Sequence, residues 1–260
     1  GVTSALSKAQ LEALGITGVT DDNLSAVLAA IAATSTDGSA VDTQGELQTV
    51  VSTAVAAQTT AIQKIAAYAE TGITAPAVTD YAAAGVSGVN AANLSAINDA
   101  INSQKGSDTT LSNANDKDGA DTTAEVQAIV NAYKAILGEA NDSTTAAGDT
   151  TPDATPTADP TADDYALIGA DIGLAATDTD NLNLLNDIIG GLQTTAVDSI
   201  AKIGTLASIA NAIQTVAANG SATLTAADFA QVGLTGVTTD NLTAVLATLR
   251  YRLQPRLKAA

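Results

Sequence analysis

A ten-residue phrase recurs along this chain and constrains its fold more than any other feature. It reads Gly15-Ile-Thr-Gly-Val-Thr-Asp-Asp-Asn23-Leu24, then Gly85-Val-Ser-Gly-Val-Asn-Ala-Ala-Asn93-Leu94, then Gly233-Leu-Thr-Gly-Val-Thr-Thr-Asp-Asn241-Leu242. A worn copy, Gly173-Leu-Ala-Ala-Thr-Asp-Thr-Asp-Asn181-Leu182, follows four extra residues, Gly169 to Ile172. Ahead of the copies stand Leu11, Tyr81, Tyr165 and Phe229. A glycine after a helix is a left-handed C-terminal cap, because it lacks a Cβ. The apolar residue after it (Ile16, Val86, Leu174, Leu234) suits a Schellman end. Thr20, Asn90, Asp178 and Thr238 are good N-caps for the next helix. The Asn three residues later stands where a capping box puts Glu or Gln. Val19, Val89 and Val237 pair with Leu24, Leu94 and Leu242 as hydrophobic staples, and Thr177 breaks the pairing in the worn copy. Each copy therefore reads as helix, turn, helix. A phosphate-cradling loop would need a preceding strand and a following Lys, and neither is present.

Further helices are announced by capping boxes at Ser7–Gln10, Thr43–Glu46, Thr122–Glu125 and Thr225–Asp228. After Thr43, an apolar stripe from Leu47 through Val51 and Ala54 to Ile62, Ile65 and Ala69 predicts one long helix, or two broken near Gln58. Val126, Ile129, Val130, Tyr133, Ile136 and Leu137 form another stripe, and Ile200, Ile203, Leu206, Ile209, Ile213 and Val216 a third, with Gly204 weakening its middle. Pro76 reads as the first-turn proline of the second hairpin. Pro255 is expected to end the last helix, at about Leu249. Residues 141–162 carry Pro152, Pro156 and Pro160 among Thr, Asp and Ala, and read as an extended spacer.

The expected fold is all-α, with tandem small three-helix bundles joined by acidic Thr/Pro/Ala-rich linkers. The expected boundaries are an incomplete hairpin at 1–34, three-helix modules at 43–104, 121–192 (with the spacer 141–162) and 195–250, and a basic tail at 251–260. The first hairpin buries too little to stand alone. The helix beginning near Leu47 covers it if it folds back. Every connecting helix then serves the hairpins on both sides, and the last hairpin is left with an open face. Otherwise the open face is the first hairpin. Either arrangement leads to the expectation of a head-to-tail contact between copies.

Composition narrows function by exclusion. The chain has no His, Cys, Met or Trp. This removes the commonest acid–base catalyst, the thiol nucleophile and the usual zinc ligands, and no disulfide framework is possible. Lack of Met is expected of a processed or excised segment. A formal net charge of −18 disfavours nucleic acid and anionic membranes. No run of membrane-spanning length is present. Arg250, Arg252, Arg256 and Lys258 crowd the end, as a remnant of cloning or a basic tail for an acidic partner. Dispersed carboxylates read as a solvated surface, so no catalytic residues are expected and the chain is not expected to be an enzyme. The aromatic residues ahead of the turns read as core anchors.

The best metal candidate lies at Asn115-Asp116-Lys-Asp118-Gly119-Ala-Asp121-Thr-Thr-Ala-Glu125. Asp116, Asp118, Gly119 and Glu125 fit positions of an EF-hand calcium loop, with Asp121 between them. Ala114 stands at the first position, where a carboxylate is needed. Calcium at Asp116, Asp118, Asp121 and Glu125 therefore competes with a capped acidic linker.

Leu224-Thr-Ala-Ala-Asp-Phe-Ala-Gln-Val-Gly-Leu-Thr-Gly-Val-Thr-Thr-Asp-Asn-Leu-Thr-Ala-Val245 resembles the GA-like helical repeats of very large bacterial surface or secreted proteins. Asp121-Thr-Thr-Ala-Glu-Val-Gln-Ala-Ile-Val130 and Pro76-Ala-Val-Thr-Asp-Tyr-Ala-Ala-Ala-Gly-Val-Ser-Gly-Val89 are similar to the same repeats. The resemblance implies a bacterial extracellular or cell-surface location and a stalk or matrix role in adhesins, biofilm proteins or surface layers. The related albumin-binding three-helix module implies the alternative of a host or matrix protein as partner. No binding residue carries over.

Overall fold

A computed structural model describes residues 6–34, 38–104, 119–140 and 158–257. Among the described residues the chain is all-α and contains no strand. Its helices are α1 (Lys8–Ala13), α2 (Leu24–Ala32), α3 (Gln44–Thr71), α4 (Val78–Ala83), α5 (Leu94–Ser103), α6 (Thr123–Glu139), α7 (Ala162–Leu167), α8 (Thr179–Gly190), α9 (Ile200–Asn219), α10 (Ala226–Gln231) and α11 (Leu242–Leu257). Short 3-10 turns lie at Gly173–Ala176 and Thr194–Ala196. The chain divides into two compact units, Gly1–Asn131 and Ala132–Ala260, with the boundary inside α6.

The recurrent phrase builds the same turn three times. In the first copy the Gly15 N–H reaches the Glu12 carbonyl and the Ile16 N–H reaches the Leu11 carbonyl, at 2.9 and 3.0 Å. This is a Schellman end, and it requires the left-handed backbone that Gly15 adopts at φ +78°. The second glycine, Gly18, is also left-handed, at φ +84°. Its carbonyl accepts from the Asn23 side-chain amide at 3.0 Å, while Asn23 Oδ1 accepts from the Thr20 N–H at 2.8 Å. Asn93 repeats both bonds with Gly88 and Asn90, and Asn241 with Gly236 and Thr238. The position needs an acceptor and a donor on one short side chain. Asn supplies both, whereas the Glu of an ordinary capping box supplies only acceptors.

The worn copy departs from the reading of its glycines. There Gly169, not Gly173, caps the helix, and the Ala170 N–H reaches the Tyr165 carbonyl at 2.9 Å. Ala170 thus takes the place that Ile16 holds in the first copy. Gly173 opens the 3-10 turn, and Leu174, expected to pack after the cap, is 53% exposed. The four inserted residues move it out of register with the core.

In the first unit α3 is one unbroken helix. Its first half carries Leu47, Val51, Ala54 and Val55 into a core with Leu11, Ile16, Val19 and Val27 of α1, α2 and their turn. Its second half packs on α4 and α5, where Lys64 pairs with Asp80 and Gly72 ends the helix against Asn102. One helix therefore serves the hairpins on both sides. No break is needed at Gln58, because its amide is satisfied within the fold. Gln58 is 5% exposed and donates to the Thr123 hydroxyl at 2.8 Å. Gly85 lets the second hairpin approach Ala26 of the first, since a Cβ there would meet the Ala26 nitrogen at 3.3 Å.

In the second unit α8 packs on α9 and the Gly173–Ala176 turn, and α9 packs on α11. Tyr133 of α6 is fully buried and donates to the Val197 carbonyl at 2.8 Å. Asn211, midway along α9, donates to the Ile172 carbonyl at 3.1 Å. Gly220 ends α9, and the Arg250 guanidinium donates to the Gly220 carbonyl at 2.8 Å. Arg250 thus caps a helix C-terminus.

Two proline readings are corrected. Pro76 precedes the N-cap Ala77 instead of opening the first turn of α4. α11 does not stop at Leu249 but runs through Pro255 to Leu257. Pro255 has no N–H to donate to the Tyr251 carbonyl, so the helix lacks one backbone hydrogen bond there.

Candidate functional site

The polar groups that repeat along the chain converge on the turns. Gln48 lies two residues after the capping box of α3, on its first exposed turns. Its Oε1 accepts from the Thr17 N–H at 2.8 Å and its Nε2 donates to the Thr17 carbonyl at 3.1 Å. Gln127 of α6 makes the same pair of bonds to Ser87, at 2.8 and 3.1 Å. In these two hairpins the carbonyl before the capping glycine is also taken. Gln44 donates to Leu14, and Thr123 to Ala84, at 2.9 and 2.8 Å. The starts of α3 and α6 thus read the backbone of the turn behind them. The signal in the sequence is a shared pattern, Thr43-Gln-Gly-Glu-Leu-Gln48 and Thr122-Thr-Ala-Glu-Val-Gln127. It goes unused when only the capping box is read.

Each hairpin also holds a second, internal constellation, and it comes in two forms. The Tyr81 hydroxyl donates to Asn98 Oδ1 at 2.6 Å, and Asn98 Nδ2 donates to the Pro76 carbonyl at 3.0 Å. Tyr165, Asn186 and Pro160 repeat it at 2.7 and 2.9 Å. Burial pushes both phenols well above their ordinary pKa. At the matching positions the first hairpin has Leu6, Leu11 and Leu28, and the last has Leu224, Phe229 and Leu246. Polar trio and apolar trio are alternative solutions for one core site. The buried tyrosines are anchors with satisfied hydroxyls, not free acids.

Of the candidate calcium residues, Asp116 and Asp118 lie outside the described residues. Asp121 and Glu125 are brought together at the start of α6. Glu125 Oε2 accepts from the N–H groups of Asp121 and Thr122 at 3.3 and 3.1 Å, completing the capping box. Burial, and then the hydrogen-bonded Asp121 carboxyl beside it, raise the Glu125 pKa to about 7. Asp121 Oδ1 and Glu125 Oε1 are both buried and have no hydrogen-bond donor among the described residues. Among the described residues no group of three or more acidic side chains gathers as a metal site.

Among the described residues, one depression in each unit is lined by charged groups. The first, about 280 Å³, is lined by Asp21, Asp22, Ser25, Ser87, Thr123 and Gln127. Asp21 pairs with Lys8 at 3.3 Å, and Asp22 accepts from the Thr123 N–H at 3.1 Å. The second, about 350 Å³, has Lys202 as its titratable group, and Lys202 pairs with Asp198 at 2.7 Å. In both, the charged groups are engaged in holding helices. Comparison with family models, with curated proteins and with solved structures returns no match.

Proposed function

We propose that the chain is a structural repeat segment of a bacterial extracellular or cell-surface protein, of the stalk, adhesin, biofilm-matrix or surface-layer kind. In this reading it is a series of three-helix sets that share their long helices, and it performs no catalysis. The observation that carries the reading is the use of the repeated polar residues. Asn23, Asn93, Gln48 and Gln127 spend their amides on joining one hairpin to its turn or to the next helix. A chain whose recurrent chemistry is spent on propagating an array is suited to spanning distance. No helix among the described residues is long and apolar enough to cross a membrane. Antibodies raised against this chain should label intact cells of the source bacterium. Labelling only after permeabilisation would refute the surface role.

A second reading, capture of a host or matrix protein such as albumin through a helix face, is favoured by exposed apolar side chains. Leu14 is 55% exposed and Ile73 83%. Titration with serum albumin distinguishes it: saturable binding that is lost in Leu14→Asp or Ile73→Asp supports capture.

A further inference from the structure

The two hairpins of the first unit gather their apolar side chains on different stretches of one helix. The first packs Leu11, Ile16, Val19 and Val27 on Val51 and Ala54 of α3. The second lies further along α3, where Ile65 and Ala69 are buried and α4 and α5 pack. Between the two stretches the buried face of α3 turns polar. Gln58 is 5% exposed, and its Nε2 donates to Thr123 Oγ1 at 2.8 Å and to Asp22 Oδ2 at 3.4 Å. Asp22 Oδ1 accepts from the Thr123 N–H at 3.1 Å, and the Thr123 hydroxyl donates to the Ala84 carbonyl at 2.8 Å. A closed triangle of three residues thus ties the turn of the first hairpin, the middle of α3 and the start of α6. Its outgoing bond reaches the end of α4, in the second hairpin.

This polar joint is not a property of the repeat. Counted from their capping boxes, Gln58 of α3 matches Leu137 of α6, and Thr123 of α6 matches Gln44 of α3. Asp22 of the first hairpin matches Ala92 of the second. The three positions that depart from the pattern meet at one place. A buried amide without a partner is costly. The Gln58 amide has its acceptors on Asp22 and Thr123, so it is satisfied only while the first hairpin and α6 are both seated. An apolar residue at 58 would impose no such condition. Sharing α3 does not impose it either, because a long helix can open at one end while its other half stays packed.

We infer that the Asp22–Gln58–Thr123 triangle is a coupling device, which makes the first hairpin, the second hairpin and the start of α6 open together instead of one at a time. The inference concerns this joint alone and stands apart from the surface role proposed above.

Matched amides test it. Val27 and Ile97 hold the same place in the two hairpins, are fully buried, and donate to the Asn23 and Asn93 carbonyls at 3.0 Å. Their hydrogen exchange is followed by nuclear magnetic resonance in the full chain under native conditions. Tyr81→Phe serves as a perturbation inside the second hairpin, since the lost hydroxyl bonds Asn98 of α5. With the triangle intact, Tyr81→Phe should speed exchange at Val27 and Ile97 by the same factor, about tenfold. In a Gln58→Ala chain, Tyr81→Phe should still speed Ile97 and should leave Val27 at the rate of Gln58→Ala alone. A Gln58 that only filled space would lower protection at both amides and leave them responding together, and that result overturns the inference. So does a Val27 amide that ignores Tyr81→Phe while Gln58 is present. If Gln58→Ala abolishes folding, Thr123→Val breaks the triangle at nearly constant volume and the same comparison is read.

Discussion

Converting the second hairpin's polar trio into the last hairpin's apolar one tests how these cores are specified. Tyr81→Phe removes the hydroxyl and leaves Asn98 Oδ1 buried without its donor, at a cost of about 1–2 kcal/mol. Asn98→Leu is worse. It leaves the Tyr81 hydroxyl and the Pro76 carbonyl unpaired, at about 1–3 kcal/mol each before any repacking. The double variant puts Phe and Leu at the positions that Phe229 and Leu246 hold in the last hairpin, and leaves only the Pro76 carbonyl without its partner. Adding Tyr81→Phe to Asn98→Leu should therefore restore about 1–2 kcal/mol, although alone it destabilises. Urea unfolding by far-ultraviolet circular dichroism gives the four stabilities. Hydrogen exchange at the Tyr81–Ala84 amides localises the effect, because a chain of two units need not unfold in one step. If the double variant is as unstable as the sum of the singles, the trio is not a coupled unit and the reasoning fails.

Glu125→Gln keeps a capping side chain and removes the titrating group. The folded pKa of about 7 lies above the unfolded value of 4.5, so the wild type has this contribution in full below pH 4.5 and loses it as pH rises through 7. The variant's melting temperature should thus gain on the wild type between pH 5 and 8; a constant difference would show that burial does not raise the Glu125 carboxyl. Gly18 and Gly45 each have open space where a Cβ would go, but Gly18 is at φ +84° and Gly45 is helical. Thermal melts should show Gly18→Ala destabilising by about 1–2 kcal/mol and Gly45→Ala stabilising by up to about 1 kcal/mol, and equal effects would contradict the backbone argument.

Local chemistry along the chain was enough to determine the turns. Glycine and Asn act within ten residues, so their spacing states the turn, and the Thr43, Thr122, Ser7 and Thr225 boxes close as read; Thr20 and Asn90, read as N-caps, instead bond Asn23 and Asn93, which are the N-caps of helices that begin at Leu24 and Leu94. Absence of His and Cys likewise narrows chemistry without any coordinates. Other features were decided only when distant segments met. The worn copy's true cap is Gly169, because the core accepts Ala170 and not Leu174. Gln58 could have broken α3, but Thr123, 65 residues away, takes its amide. The pairing of Tyr81 with Asn98 and of Gln48 with Thr17 joins elements whose separation no periodicity encodes. The shared role of α3 was one of two alternatives in the sequence. Burial of Val51 against Leu11 and Val27 chose between them, because an amphipathic hairpin this small needs a third apolar surface to exclude water.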